Sequence, residues 1–135
     1  MLDRLIKKDS TRLFHKFILI IPEIEKINEA AKSKSDGFMD FNIDILEATK
    51  YGTKIALSHY YKHNSGDMIA DPDMTFMLNM KEQWIEPLSY QDMYKYDEVY
   101  SDDYTKFRPH LRQSLLEFSL MWFDNLYAQG HIIKS

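Results

Sequence analysis

"FMDFNIDIL", residues 38–46, marks a change of period in the chain. Met39, Phe41, Ile43 and Ile45 alternate with Asp40, Asn42 and Asp44, so an extended segment here is apolar on one side and polar on the other. A period of two is the pattern of a half-buried strand. Upstream the period differs. Leu13, Phe14, Phe17, Ile18, Ile21, Ile24 and Ile27 recur at three- and four-residue steps, which predicts a helix. Asp9 or Ser10 is its candidate N-cap. Pro22 has no amide hydrogen and should kink this helix or open a second one, PEIEKINEAAKSK, ending near residues 35–37.

Downstream the strand pattern continues. "KYGT" (50–53) reads as a hairpin and "KIALSHYYK" (54–62) as the next strand. Met74, Phe76, Leu78 and Met80 alternate again. "WIEPLSYQ" (84–91) carries Pro87, which cannot donate to a ladder and so belongs at an edge or a bulge. "YKYDEVY" (94–100) is a short fifth candidate. The connections are too short for parallel crossovers, so the sheet should be an antiparallel meander. From Thr105 the helical period returns. Leu111, Leu115, Phe118, Trp122 and Leu126 form a stripe with Leu116 and Phe123 beside it, Pro109 in the first turn and Gly130 as the stop. The predicted class is α+β: a four- to five-stranded antiparallel meander with N-terminal helices and a long C-terminal helix packed on one face, in one domain, 1–135.

The 135 residues and 44% hydrophobic content allow a sizeable core. No cysteine is present, which removes disulfides, thiol nucleophiles and cysteine metal ligands and fits a cytoplasmic setting. No N-terminal apolar core of a signal peptide and no run of about 18 apolar residues stands out, so no membrane is expected among the partners. The net charge of −4 is unevenly spread: +3 over residues 1–34, −9 over 35–104 and +2 over 105–135. The ends either neutralise the middle by packing on it, or leave an acidic surface suited to a basic partner.

Three groups of residues invite a functional reading. In "HYYKHNSGDMIADPDM" (59–74), His59, His63, Asp67 and Asp71 fall every fourth position. Ser65-Gly66 and Asp71-Pro72 would break a helix, and the composition before them is that of a strand. The segment therefore reads as a strand ending at His63, a turn punctuated by Asn64, Gly66, Asp67 and Pro72, and a new strand from Met74. Asn64, Asp67 and Asp73 then serve as turn residues bonding nearby amides. The competing reading is a metal site, with His63, Asp67 and Asp71 as candidate ligands and His59 and Asp73 nearby; it needs three or four of them to converge. For His59, a hydrogen-bonded place in or beside the core is the alternative.

Arg4, Lys8, Arg12 and Lys16 recur every fourth residue, either as a solvated helix face or as a stripe that grips phosphates. The acidic middle of the chain argues against general nucleic-acid binding. The third group is the acidic, tyrosine-rich run 82–104. Its candidate partner-binding residues are Glu86, Tyr94, Tyr96, Asp97, Glu98, Tyr100, Asp102 and Asp103. Tyrosines anchor partly wet interfaces, and carboxylates among them can pair with cationic grooves. Asp102 or Asp103 has a second reading, as the N-cap of the following helix. No phosphate loop, dinucleotide fingerprint or nucleophile elbow occurs, so no catalytic residue is assigned and no cofactor is expected.

The segment from Phe38 to Tyr100, with "IALSHYYKHNSGDMIADPDM", "WIEPLSYQ" and "YDEVY", resembles a domain of unknown function. That domain is found in small proteins of plasmids, conjugative elements and phages of Firmicutes and Bacteroides-type bacteria. His59, Tyr60, Asn64, Gly66, Asp67, Asp71, Pro72 and Asp73 carry the resemblance, and "SLLEFSLMWFDNLYAQG" extends it. This chain has "NSGD" where the shorter "NGD" is expected. The resemblance implies a fold and a bacterial-host cytoplasm, and no chemistry. By analogy of setting, the expectation is a non-enzymatic accessory protein of a mobile genetic element that binds a host protein, for instance an anti-CRISPR-type inhibitor of a host defence nuclease.

Overall fold

The structure, a computed structural model, describes residues 8–134. Helix α1 is described from Lys8 to Ile20 and stops before Pro22. A single 3-10 turn, Ile24–Lys26, follows. Six strands come next: β1 Ala30–Ser33, β2 Phe41–Thr49, β3 Gly52–Lys62, β4 Met68–Asn79, β5 Trp84–Gln91 and β6 Tyr96–Glu98. Helix α2, Pro109–Ala128, closes the order. The strands lie side by side as β1-β2-β3-β4-β5-β6, every pair antiparallel. The α+β meander with helices at both ends of the chain is thus as the sequence predicts, with six strands in place of four or five.

The extra strand replaces the expected second helix. Residues 30–33 pair with Phe41–Asp44, and Ile45 N–H donates to Glu29 O at 2.7 Å. Ala and Lys favour helix, but a free sheet edge offers each backbone group a partner, and that tertiary gain outweighs a propensity of a few tenths of a kcal/mol per residue. Asp9 and Ser10 lie inside α1, so neither caps its start; Ser10 is fully buried. Arg4 lies outside the described residues.

Cross-strand partners share a face. Ile43, Leu57 and Met74 form one row, and Ile45, Ile55 and Phe76 the next. Helix α2 packs on this face. Trp122 meets Phe41 and His59, Phe123 meets Phe76, and Phe17 of α1 meets Phe123. Of the predicted stripe, Leu115, Trp122 and Leu126 are buried here and Leu111 and Phe118 half-buried, with Leu116 and Phe123 buried beside them. Gly130, φ +89°, follows the last turn as its stop.

Three bulges interrupt the ladders, at Ile45/Glu47, at Ser58/Tyr60 and at Thr75/Phe76. The second corrects the reading of residues 68–73. The turn is confined to His63–Asp67, and β4 begins at Met68, not Met74. Asp71-Pro72, a cis peptide, lies within the strand opposite His59. Pro87 stands next to the third bulge, whose extra residue is Leu88, and β6 reaches only Ser89–Gln91, so no strand needs the missing Pro87 donor.

Candidate functional site

The polar alternates of the strands assemble on the face opposite α2. Asn42, Ser58, Asp73, Gln91 and Tyr96 make one row. Asp44, Ala56, Thr75, Ser89 and Glu98 make the row beside it. Asp44, Gln91, Tyr96 and Glu98 are open to solvent, while the small Ser58, Ala56 and Ser89 form a buried floor. Tyr60, two residues after Ser58, lies on the same face, where its hydroxyl donates to Asp73 Oδ2. Tyr96 OH donates to Glu98 Oε1 at 2.8 Å, and Thr75 and Ser89 share a hydroxyl bond of 2.5 Å.

The electrostatics of this face are one-sided. Loss of water and then the nearby Asp73 charge hold the Asp44 carboxyl above its ordinary range. Burial and then the hydrogen bond to Asp73 push the Tyr60 phenol up to about 12. Tyr96 is raised by burial and by Glu98. All three shifts disfavour further negative charge, first because burial takes water from each group and then because carboxylates stand nearby. For Tyr60 the sign follows from a folded value above the ordinary 10: its contribution to stability is present below pH 10 and is lost as pH rises from there to about 12. Absorbance titration at the tyrosinate band should show this phenol ionising near 12, and Asp73→Asn should bring it back towards 10. A wild-type protein whose tyrosines all ionise near 10 contradicts this placement.

Two hollows open on the face. One, of about 240 Å³, is lined among others by Glu47, Lys54, Thr75, Ser89, Tyr96, Glu98 and Asp102. The other, of about 580 Å³, is bounded by Ala30, Ala31, Lys32, Asn42, Asp44, Ser58, Tyr60 and Met68.

The partner-binding candidates divide. Tyr94 is 88% exposed, and Tyr96, Glu98, Asp102 and Asp103 are also exposed, with Asp97 half-buried. Asp103 does not cap α2. Its Oδ1 accepts from Thr105 Oγ1 at 2.7 Å, Ser101 Oγ at 2.8 Å and Thr105 N–H at 3.1 Å, bonds that draw its pKa down to about 2. Arg108 stands at the N-cap of α2 instead, and no side chain caps it. Glu86 and Tyr100 do not belong to the surface. Glu86 is fully buried and Tyr100 is 7% exposed. Glu86 accepts from Ser10, from Tyr100 OH at 2.7 Å, and from Arg112 Nη2 and Nε at 2.5 and 2.9 Å. These bonds tie α1, β5, the segment after β6 and α2 together where β6 leaves the edge of β5 uncovered.

The residues that carry the resemblance are spread over both faces and the turn. His59 Nε2 accepts from Trp122 Nε1–H at 3.1 Å, which leaves the hydrogen on Nδ1 to donate to Asp40 O at 2.8 Å. His131, fully buried, holds the neighbouring carbonyl of Met39 at 3.0 Å and Ser33 Oγ at 2.9 Å. Burial lowers its pKa, with smaller opposing effects from Met39 O and Asp40. Pro72 is buried, and Asn64, Gly66 and Asp71 are exposed. His63 and Asp67 turn back on their own loop. Ser65 Oγ lies 3.1 Å from His63 Nδ1 and 3.2 Å from Asp67 Oδ2, and His63 N–H donates to Asp67 O at 2.8 Å. Among the described residues, no group of three or more His, Asp or Glu is arranged to hold a metal ion. Of the basic stripe, Lys8 and Arg12 are exposed, and Lys16 pairs with Asp124 at 2.6 Å.

Reading the sequence missed Asp44, and it missed that Asp73 and Tyr60 share one face with Tyr96 and Glu98 across four strands. Their signal was present as the polar member of each alternation, but bulges decide which polar positions meet. The buried role of Glu86 had a signal too: it sits among Trp84, Ile85, Pro87 and Leu88, and Arg112 falls on the same stripe of α2 as Leu116 and Ser119.

The architecture defines an α+β protein whose meander is covered by helices on one face and carries an acidic, tyrosine-bearing opposite face. The chain belongs to the family described as a domain of unknown function, DUF6908, which it matches over residues 12–132. No curated protein and no solved structure matches it. No helix among the described residues is long and apolar enough to cross a membrane.

Proposed function

We propose that this protein is a non-enzymatic accessory protein that acts by binding another protein through its acidic, tyrosine-bearing sheet face and the adjoining β6 margin. The observation that carries this reading is the crowding of Asp44, Asp73 and Glu98, with Tyr60 and Tyr96 among them, on a face whose outer members meet solvent. Cationic groups are the chemistry that relieves such crowding, and tyrosines supply rigid contact area. The partner class that fits is a protein with a Lys/Arg-lined groove of the kind that holds nucleic-acid phosphates, such as a host nuclease. The resemblance to proteins of mobile elements adds the setting in which such binding is useful, inhibition of host defence of the anti-CRISPR type in a bacterial cytoplasm.

The test uses the intact protein as bait in lysate of its bacterial host, beside the variant Asp73→Lys/Glu98→Lys. The expected result is a partner retained at low salt by the wild type, released near 0.5 M salt, and not retained by the variant. The same partner's nuclease activity should fall on addition of the wild-type protein alone. Equal retention by both baits, or a partner whose activity is unaffected, sinks the inhibitor reading.

A further inference from the structure

We infer that the sheet face recognises a basic segment carrying one bulky apolar side chain, which seats in the hollow at the β1 end while cationic side chains lie over Asp44, Asp73 and Glu98. This inference rests on the protein-binding reading above and specifies the chemistry of the segment bound.

The two hollows differ in character. The smaller hollow, whose lining runs from Glu47 and Thr49 of β2 to Tyr96 and Glu98 of β6, is mostly carboxylates and hydroxyls, with Leu88 and the Tyr100 and Tyr104 rings among them. At the β1 end the wall is mostly carbon: Ala30, Ala31, the Tyr60 ring and Met68. Met68 is 60% exposed and Tyr60 37%. Apolar surface of this kind, rimmed by polar Asn42, Asp44 and Lys32, marks a place for an apolar group of a partner. Asp44 belongs to the rim of this hollow and, through its row, to the carboxylate path that leads to Glu98. Charge complementarity fixes the rest of the occupant. Lys32 at the rim already lies 3.8 Å from Asp40, and Lys54 is the one cation among the residues lining the smaller hollow, against three carboxylates.

The spacing is set by the sheet. Four ladders separate β2 from β6, about 19 Å at ~4.8 Å each. An extended segment covers that in about six residues. The apolar residue and the farthest cation should therefore stand about six positions apart.

The experiment titrates 15N-labelled intact protein with two synthetic 12-residue peptides of Gly and Ser. Both have Arg at positions 6 and 9; one has Leu at position 3 and its twin has Ala. The Leu peptide is expected to shift the amides of Ala30, Ala31 and Met68 together with those of Asp73 and Glu98. It should bind at least about tenfold more tightly than its twin, the size of effect that burying one leucine side chain gives. Ala30→Trp, which fills the hollow, should erase the difference and leave both peptides at the strength of the Ala twin. Asp73→Asn/Glu98→Gln should weaken both peptides and flatten their salt dependence; melting curves confirm that each variant is folded. Equal binding of the twins to the wild type overturns the apolar seat while leaving the charge reading intact. If neither peptide shifts any residue of the face, the inference falls. In that case the charge reading survives only if the lysate partner is retained and lost on charge reversal.

Discussion

Arg112→Met is expected to destabilise the fold by about 3–5 kcal/mol, the cost of leaving a buried carboxylate without its counter-ion. Glu86 is fully buried, and Arg112 grips both of its oxygens, at 2.5 and 2.9 Å. Ser10 and Tyr100 add neutral donors but no charge. Burial drives the Tyr100 phenol upward first, and the Glu86 charge adds to it, so this tyrosine stays a donor at any ordinary pH. The Arg112 guanidinium is opposed by its own burial and held charged by its bonds to Glu86. Arg112→Lys should recover only part of the loss, because an ammonium cannot span two carboxylate oxygens as the planar fork does. Urea unfolding followed by tryptophan fluorescence measures the difference. A loss below about 1 kcal/mol for Arg112→Met would mean that water reaches Glu86.

Gly52→Ala is the second large effect, about 2–5 kcal/mol, summing a left-handed backbone penalty of 1–2 and an overpacking cost of 1–3. Gly52 has φ +144° at the start of β3, and a Cβ there would lie 2.2 Å from the Leu78 carbonyl oxygen and 2.9 Å from its carbon. Those atoms are backbone of β4, so no side-chain rotation relieves the contact. The two-residue connection Lys50-Tyr51 leaves β2 no slack to move away, since Thr49 and Gly52 are paired directly. Gly37 gives the comparison. It also has positive φ, +85°, but nothing lies within 4 Å of a Cβ built on it. Gly37→Ala should therefore cost only the backbone part, about 1–2 kcal/mol. Thermal melts of the two variants side by side decide the matter; equal melting temperatures would falsify the contact at Leu78.

Much of this architecture is legible in the sequence because period and burial coincide. Met39 to Ile45 and Met74 to Met80 alternate, and the strands follow. Leu115, Trp122 and Leu126 keep helical spacing, and α2 follows. Residues 30–33 were illegible for the opposite reason. "AAKS" carries no alternation, and its strand state comes from Phe41–Asp44 alongside it. Residues 68–73 were illegible because Asp71-Pro72 reads as a stop, whereas the bulge opposite His59 absorbs it inside the strand. The acidic run 82–104 named Tyr96 and Glu98, which do lie on the open face. It also named Glu86, whose charge suggested surface while its neighbours are buried. Net charge along a segment does not distinguish a carboxylate facing solvent from one facing an arginine 26 residues away. Nor does it bring Asp44 or Asp73 next to β6, because that needs the register of four ladders.

The bulges give this register an uneven tolerance to changes in chain length. Leu46, Leu88 and one residue of the Asp71-Pro72 step are each the extra residue of a bulge, next to pairs that resume on the same two faces beyond it. They act as phase shifters in an otherwise strict two-residue alternation. Losing Leu88 would only close its bulge, since Pro87 and Ser89 would then face Phe76 and Thr75 as direct neighbours, whereas losing a paired residue such as Ile43 would invert the phase of β2 beyond it, turning Asp44 toward the helix layer and Ile45 outward. A residue gained or lost in the His63–Asp67 turn has no such reach, because both strands leave that turn already paired at Lys62 and Met68. Drift in loop length can therefore occur beside the acidic face without erasing it, whereas a single deletion within a strand can exchange its carboxylates for leucines and isoleucines.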